Sequence, residues 1–580
     1  MSYAGTIPDN QPSTAAKPNL RDEKIVAEIM QLFAELQTWR NTFAIQWEEI
    51  AELISPNYKN TFYYNNFNWP GQKKTQRQVD ATGMMALHRF GAILDSLLTP
   101  RNMQWHGLEA SDPYVMKDRQ TKLWFEEVTR RLFKLRYAPI ANFSSQNQQN
   151  YQALGAFGTG SMFIDAYQGV SGERGFRYKA IPLGEMFLRE NHQGQIDGFI
   201  RWFRLTARQA VQKFGPTQKL PQTILDAHGK NSESPFDFLH AVYPNEEYSP
   251  GNLDNSGKKF KSCYVSMEGR SLLSESGYYS FPLACSRYEQ GPGEVYGRGP
   301  AGMVLPALKT LNAEKTTFLK QGHRAADPVL LGTDDGLIDP NFRPGAFNKG
   351  GMSTDGKRLV DVLPTGEIQI SEKMMDEEKQ LIEAAFLVDL FKVLLADPKI
   401  FTATQIVEMA SQRGILIAPT VGRQQSEYLG PMIDRELDLM AQLHMLPPMP
   451  PRLREARGSY HVVYSSPLSR EMRMQEAAGL SKVLETLTPV INITQDPSIL
   501  DRFKWKSITP DLAEINGLPE SWMNSDDEVG QIEQARAQAQ ERQQQAQEAP
   551  AAAQLLTAKA KAAQAGGGQP PGPPSGNPPQ

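Results

Sequence analysis

Residues 71–108 read GQKKTQRQVDATGMMALHRFGAILDSLLTPRNMQWHGL. The stretch opens on a glycine, passes through a basic approach and then turns apolar at helical spacing. Met84, Leu87, Phe90, Gly91, Leu94 and Leu98 recur every three or four positions, which sets one face of a helix against a core. Asp80 or Thr82 supplies the opening cap, because a short side-chain oxygen there satisfies an orphan backbone N–H. Pro100 stops the run, since the residue ahead of a proline avoids helical geometry. Taken alone, the stretch predicts one well-packed helix over 80–98.

Upstream, Ile25, Ile29, Leu32, Leu36, Phe43, Trp47 and Ile50 predict a long amphipathic helix, or two, ended by Pro56. Downstream, helices are expected at about 118–136 and 143–155. Short apolar runs between Gly and Pro turns, from Gly155 to about Tyr288, read as antiparallel strands, with a helix inserted at 206–214. Helix returns at Pro300–His323, about 35 Å long at its ordinary rise. Residues 327–370 read as short strands and turns. A second helix is expected over 371–396, apolar all round from Leu381 to Leu395 and so enclosed by neighbours. Asp397–Phe401 interrupts it. Thr402 then opens a long helix with Gln405 in the capping-box position, bent at Gly414 and Pro419. Beyond the Pro-rich breaker at 446–451, helices at about 467–489 and 507–515 precede a Gln/Ala/Glu-rich and finally Gly/Pro-rich tail, too poor in apolar groups to fold alone.

The chain has 580 residues, enough for several domains, and is 40% hydrophobic. Its 61 basic and 65 acidic residues leave a net charge of -4, unlike a protein that grips nucleic acid over a basic face. Cys263 and Cys285 are too few for a disulfide scaffold and fit a reducing cytoplasm. The first eighteen residues have no charged region followed by an apolar one, so no signal peptide is expected. No apolar stretch reaches membrane-spanning length.

Catalytic patterns are missing. The loop at Gly291–Pro300 has no Gly-Lys-Ser/Thr ending, and Gly155, Gly158 and Gly160 lack the strand-then-helix setting of a dinucleotide site. None of the eight histidines pairs with another ligand at metal spacing, and Asp334-Asp335-Gly336 reads as a turn. The expectation is a non-enzyme with no cofactor and no metal.

Four stretches in order are similar to the head-to-tail connector (portal) proteins of short-tailed bacteriophages. They are Trp47–Pro56, Gly71–Trp105, Tyr296–Ala301 and Thr402–Gln405, within a likeness spanning roughly residues 25 to 450. Gln405 stands where the family pattern usually has Glu. The resemblance implies an α+β, mainly helical subunit of a ring, typically a dodecamer. It implies a flexible arm (1–20), a wing of helices then antiparallel β (21–297), stem helix 1 (298–326), a clip (327–370) and stem helix 2 (371–396). A tunnel loop (397–401), a long wing helix (402–451), a crown (452–528) and a largely disordered tail (529–580) complete it. Such a ring sits at one capsid vertex of the virion and is assembled in the host cytoplasm. Double-stranded DNA passes through it without sequence specificity. The implied partners are the large terminase subunit, the major capsid and scaffolding proteins and tail adaptors.

On that resemblance, Lys309, Lys315, Lys320, Arg324, Glu377 and Glu378 on the stem helices are candidates for the DNA channel. Lys399 or Phe401 faces the DNA from the tunnel loop, with Phe401 alternatively a buried anchor for the next helix. Arg343, Lys349, Lys357 and Arg358 are candidates for docking at the clip. A mainly acidic lining lets DNA slide, whereas a basic one holds it by counterion release. The plain alternative is that these charges are solvated faces with local i,i+4 pairs. The competing functions are a helical scaffold or adaptor without a channel, and an α+β enzyme of unknown class.

Overall fold

The computed structural model describes residues 20–63, 71–169, 172–215, 220–332, 341, 343–347, 352–364, 368–388, 417–456, 458–464 and scattered positions from 479 to 561. Contacts divide the chain into two units. One is Met1–Glu109 with Glu127–Pro448 and Tyr460–Glu485; the other is Ala110–Glu126 with Met449–Ser459 and Thr486–Gln580. Helix and strand are mixed, as in an α+β protein.

The 34-residue helix α1 (Leu20–Leu53) buries Ile25, Val26, Ile29 and Phe33 on its first half. They pack with Phe187, Ile200, Leu239 and Val265 of an antiparallel sheet. That sheet runs in the order β4 (Met186–Glu190), β5 (Ile196–Thr206), β6 (Pro235–Pro244), β7 (Phe260–Ser266), β8 (Ser271–Tyr278). Between β5 and β6 stand α6 (Ala207–Phe214) and α7 (Gln222–Lys230). Thr206 and Gln209 close a complete capping box on α6. Farther along α1, Arg40 is buried and donates to the carbonyls of Phe62 (3.1 Å) and Gly184 (2.8 Å).

The quoted stretch forms α2 (Thr82–Leu98), preceding β1 (His106–Ala110). Its N-cap is Ala81, so neither expected residue caps it in the ordinary way. Asp80 instead accepts from the Thr82 N–H at 2.7 Å. After the short α3 (Pro113–Met116) come α4 (Arg119–Arg136) and α5 (Phe143–Phe157). Helix α2 packs closely on α5: a Cβ at Gly155 would lie 2.7 Å from a Phe90 ring carbon. Gly158 ends α5 at φ +76, and a Cβ there would meet the backbone of Gly297–Gly299 at 2.4 Å. These glycines therefore serve close packing and a helix end, not a phosphate. The chain continues into β2 (Thr159–Gln168), which pairs with β3 (Arg174–Ala180) and β9 (Leu283–Arg287). A minimal ladder, β10 (Glu289–Gln290) with β11 (Gly297–Arg298), leads out of the sheet. Both cysteines are buried thiols.

The expected helix at Pro300–His323 is two helices, α8 (Pro300–Met303) and α9 (Leu305–Ala326). Pro306 has no N–H to continue the ladder, so the chain restarts at Leu305. After β12 (Leu330–Gly332) and β13 (Val360–Val362), α10 spans Ile368–Ala385. Leu387, at a left-handed φ of 60, breaks the helix after Ala385, and residues 389–396 of the expected helix lie outside the described residues. In the expected apolar run from Leu381 to Leu395, Ile382, Phe386 and Val388 are buried while Leu381 is 55% exposed in the single chain. Residues 389–416, including the expected Thr402 opening, lie outside the described residues. Residues 417–424 are helical straight through Pro419. They lead through a widened turn into α11 (Gly430–Gln442), so the irregularity falls before Pro431. Next come α12 (Pro451–Glu455) and β14 (Tyr460–Tyr464), the partner of β1.

One buried cluster fixes α11. Arg136 and Glu436 are both fully enclosed and make two bonds, Nε to Oε1 at 3.0 Å and Nη2 to Oε2 at 2.5 Å. The Tyr178 hydroxyl donates to Glu436, and His106 Nε2 accepts from Arg136 at 3.0 Å. Burial, reinforced by the Arg136 charge, holds His106 well below its ordinary pKa, so it stays neutral and can accept. Glu436→Ala leaves a buried guanidinium uncompensated. It should lower unfolding free energy by about 3–5 kcal/mol, whereas Arg136→Met with Glu436→Leu should recover most of the loss. Urea titration read by tryptophan emission checks this, since the Trp105 ring lies 4.6 Å from the Arg136 guanidinium.

Candidate functional site

Helices α9 and α10 pack against each other. The buried side chains of α9, Leu305, Ala307, Leu308 and Leu311, all lie in its first two turns. Past them the helix is half-buried or exposed through Ala326. On α10, Met375 and Ile382 are buried, as is Phe386 just beyond it. The pair therefore leaves the core as two rods.

The stretch around α2 is their socket. A Cβ at Gly83 would sit 2.7 Å from Leu308 Cδ2, and Phe386 meets Phe90 edge-on at 6.0 Å between centroids. Asn312 Oδ1 accepts from Val79 N–H at 2.8 Å, and its Nδ2 donates to the Arg77 carbonyl at 3.0 Å. Arg89 reaches Glu383 at 3.4 Å.

At the far end, β12 and β13 pair Leu330 with Val362 and Gly332 with Val360. A two-stranded ladder is marginal in water. This one leaves Val329, Leu331, Val362 and Leu363 about half exposed, and Phe347, between the two strands in sequence, is 85% exposed. Leu319, Met374 and Leu381 on the rods, and Met303 of α8 just ahead of them, are also exposed.

The candidate charges are spread along this assembly and do not converge. Lys309 is paired with Glu49 of α1 at 2.7 Å, so the core already partly neutralises it. Lys315 lies 5.5 Å from the Phe318 ring centroid. Lys320 and Arg324 are exposed in the later turns of α9, where cations suit the helix dipole. Glu377 is exposed and Glu378 half-buried. Arg343, Lys357 and Arg358 are exposed; Lys349, Lys399 and Phe401 lie outside the described residues.

A residue the sequence reading passed over is Glu314. Its Oε2 and that of Glu378 are each shielded from solvent without a hydrogen-bond partner among the described residues. Burial, and behind it the Glu378 carboxylate, raise the Glu314 pKa above its ordinary value. Only the packing of α9 on α10 brings them together, so no local signal marks the pair. Among the described residues, no group of three or more His, Cys, Asp or Glu could hold a metal ion, and no helix is long and apolar enough to cross a membrane.

Residues 26–523 match the profile of a family described as bacteriophage head to tail connecting protein. The portal protein of Salmonella phage epsilon15 is 27% identical over 527 residues, covering 88% of this chain and 91% of that protein. The probable portal protein of Bordetella phage BPP-1 is 25% identical over 529 residues, again covering 88% and 91%.

The Glu314 shift has a sign. A carboxyl whose folded pKa is raised contributes its stability below the unfolded value and loses it as pH rises through the folded one. Amide exchange along α9 and α10 should therefore quicken as pH climbs through that interval, after correction for intrinsic rates. Glu314→Gln should flatten the dependence, and an unchanged profile in that variant would contradict the assignment.

Proposed function

The chain belongs to the bacteriophage head-to-tail connecting protein family, and from that membership we propose that it is the portal subunit of a short-tailed phage. Copies form a ring, a dodecamer, at one capsid vertex. Double-stranded DNA enters through the ring during packaging and leaves through it during ejection. The ring is structural: translocation energy comes from the large terminase subunit, which docks first on the clip around residues 327–370, with tail adaptors docking there later. Capsid and scaffolding proteins surround the wing. The subunit is made in the host cytoplasm and ends in the virion.

The single observation that carries the ring reading beyond family membership is the apolar surface left open on the rods and their ladder. Met303, Leu319, Met374, Leu381, Leu331 and Val362 are each between 43% and 55% exposed. Fully burying a side chain of this size is worth about 1.5–3 kcal/mol. Neighbouring rods, repeated around an axis, supply that cover and complete the marginal ladder. A heterologous contact of this kind closes into a ring when its rotation divides a full turn. In the ring each stem residue becomes a circle of like charges, with Glu377 and Glu378 facing sparse basic circles from Lys315, Lys320 and Arg324. Lys399 or Phe401 extends from the tunnel loop, and Arg343, Lys349, Lys357 and Arg358 are presented at the clip. That mixed lining passes a phosphate backbone without holding it.

Light scattering on the purified protein tests the reading. Wild type should show the mass of a multi-subunit ring, and Leu331→Asp with Val362→Asp should shift it toward monomer at unchanged helical circular dichroism. A wild-type mass that stays monomeric or dimeric under every assembly condition overturns it, as does normal ring formation by the double variant.

A further inference from the structure

One turn of the helix crossing residues 417–442 is wider than the rest. Over Gln425–Leu429 the closing hydrogen bond runs from Gly430 N–H to the Gln425 carbonyl, five residues back. Pro431 accounts for it. It has no N–H for the Glu427 carbonyl, and its ring would collide with that carbonyl in a regular helix. The wide turn relieves the collision at the cost of one extra residue.

That extra residue sets a phase. Ahead of the turn, Ile417, Val421 and Gln424 are buried. From the last two residues of the turn onward two adjacent stripes are buried: Tyr428, Met432, Arg435 and Leu439, and next to them Leu429, Ile433, Glu436 and Met440. In the observed register the leading stripe runs on, five residues later, into Leu429. In an unbroken α-helix it would run on, four residues later, into Tyr428. Both registers continue a buried stripe into a buried stripe, so burial does not choose between them; the Pro431 collision, about 3 kcal/mol in a regular helix, keeps the second a minor state.

Arg287 selects the observed phase. Its side chain is only 3% exposed and binds both Glu427 oxygens, Nε at 2.9 Å and Nη2 at 3.1 Å. Gln424 Nε2 donates to the Arg287 carbonyl at 2.9 Å, and the Tyr464 hydroxyl donates to the Gln425 carbonyl at 3.0 Å. Arg287 also binds Glu190 at 3.1 Å and the Gly194 carbonyl at 2.7 Å. Releasing Glu427 therefore does not strand a buried cation.

We propose that Gln425–Leu429 is a one-residue register switch whose latch is the Arg287–Glu427 pair. In the second register Glu427 swings off Arg287 by about 100°, and residues 417–424 turn by the same angle and shift by about 1.5 Å along the axis. Helix α11 stays where the Arg136–Glu436 pair holds it. The chain ahead of residue 417 is thus redirected while the core is kept. The device stands on the geometry of one subunit. Its use in reorienting a channel segment rests on the portal reading.

Amide exchange on the full-length protein tests it with two variants. Glu427→Gln should raise exchange across 417–429 at least roughly tenfold, the effect of weakening one charge-assisted contact, with 432–442 unchanged. Pro431→Ala removes the obstacle to the second register and should slow exchange across 425–431 by restoring regular hydrogen bonds. Unchanged exchange in either variant, or an equal rise along all of 417–442 in Glu427→Gln, overturns the switch. The readout lies within one subunit, so its outcome is separate from whether rings form or carry DNA.

Discussion

Two rods can leave a core together only if something holds their base, and here that something is α2. Gly83 lets Leu308 approach within touching distance, and Phe90 meets both Phe386 and the backbone of α5 at Gly155. Close-packed contacts of this kind do not yield gradually, because any added carbon displaces a neighbour. Asn312 adds direction by binding the chain entering α2 from both ends of its amide. The direction of the rods therefore follows from two glycine contacts, one aromatic contact and the Asn312 amide.

The polar interior follows a similar logic. Arg40, Arg136 and Arg287 are each buried and donate to carbonyls or carboxylates distant in sequence, while Arg40 Nε and Arg136 Nη1 have no hydrogen-bond partner among the described residues. These contacts tie α1, α4 and β9 to their neighbours, and a buried charge makes a wrong partner costly. The rods are the opposite case. Several of their apolar side chains stay open, and their packing sets the Glu314 and Glu378 carboxylates close together.

Much of this could be read locally. The spacing of Leu87, Phe90, Leu94 and Leu98 marked α2, and all four are buried. The Gly- and Pro-bounded runs marked the strands. Proline positions explain two of the departures: Pro306 splits the first rod and Pro431 widens the later helix, each by its missing N–H. Leu387 could not have been read, since a left-handed leucine has no propensity behind it. Charge told less still. Lys309 looks like any solvated lysine until the fold brings Glu49 beside it, and Glu314 gains its meaning only from a helix more than fifty positions away.

A map of the assembled particle viewed along its axis bears most directly on the central claim. The account predicts α9 and α10 of every subunit arranged around a central hole, with Leu319, Met374 and Leu381 covered by the adjacent copy. A map that encloses both rods within one globular subunit, away from any rotation axis, would contradict it.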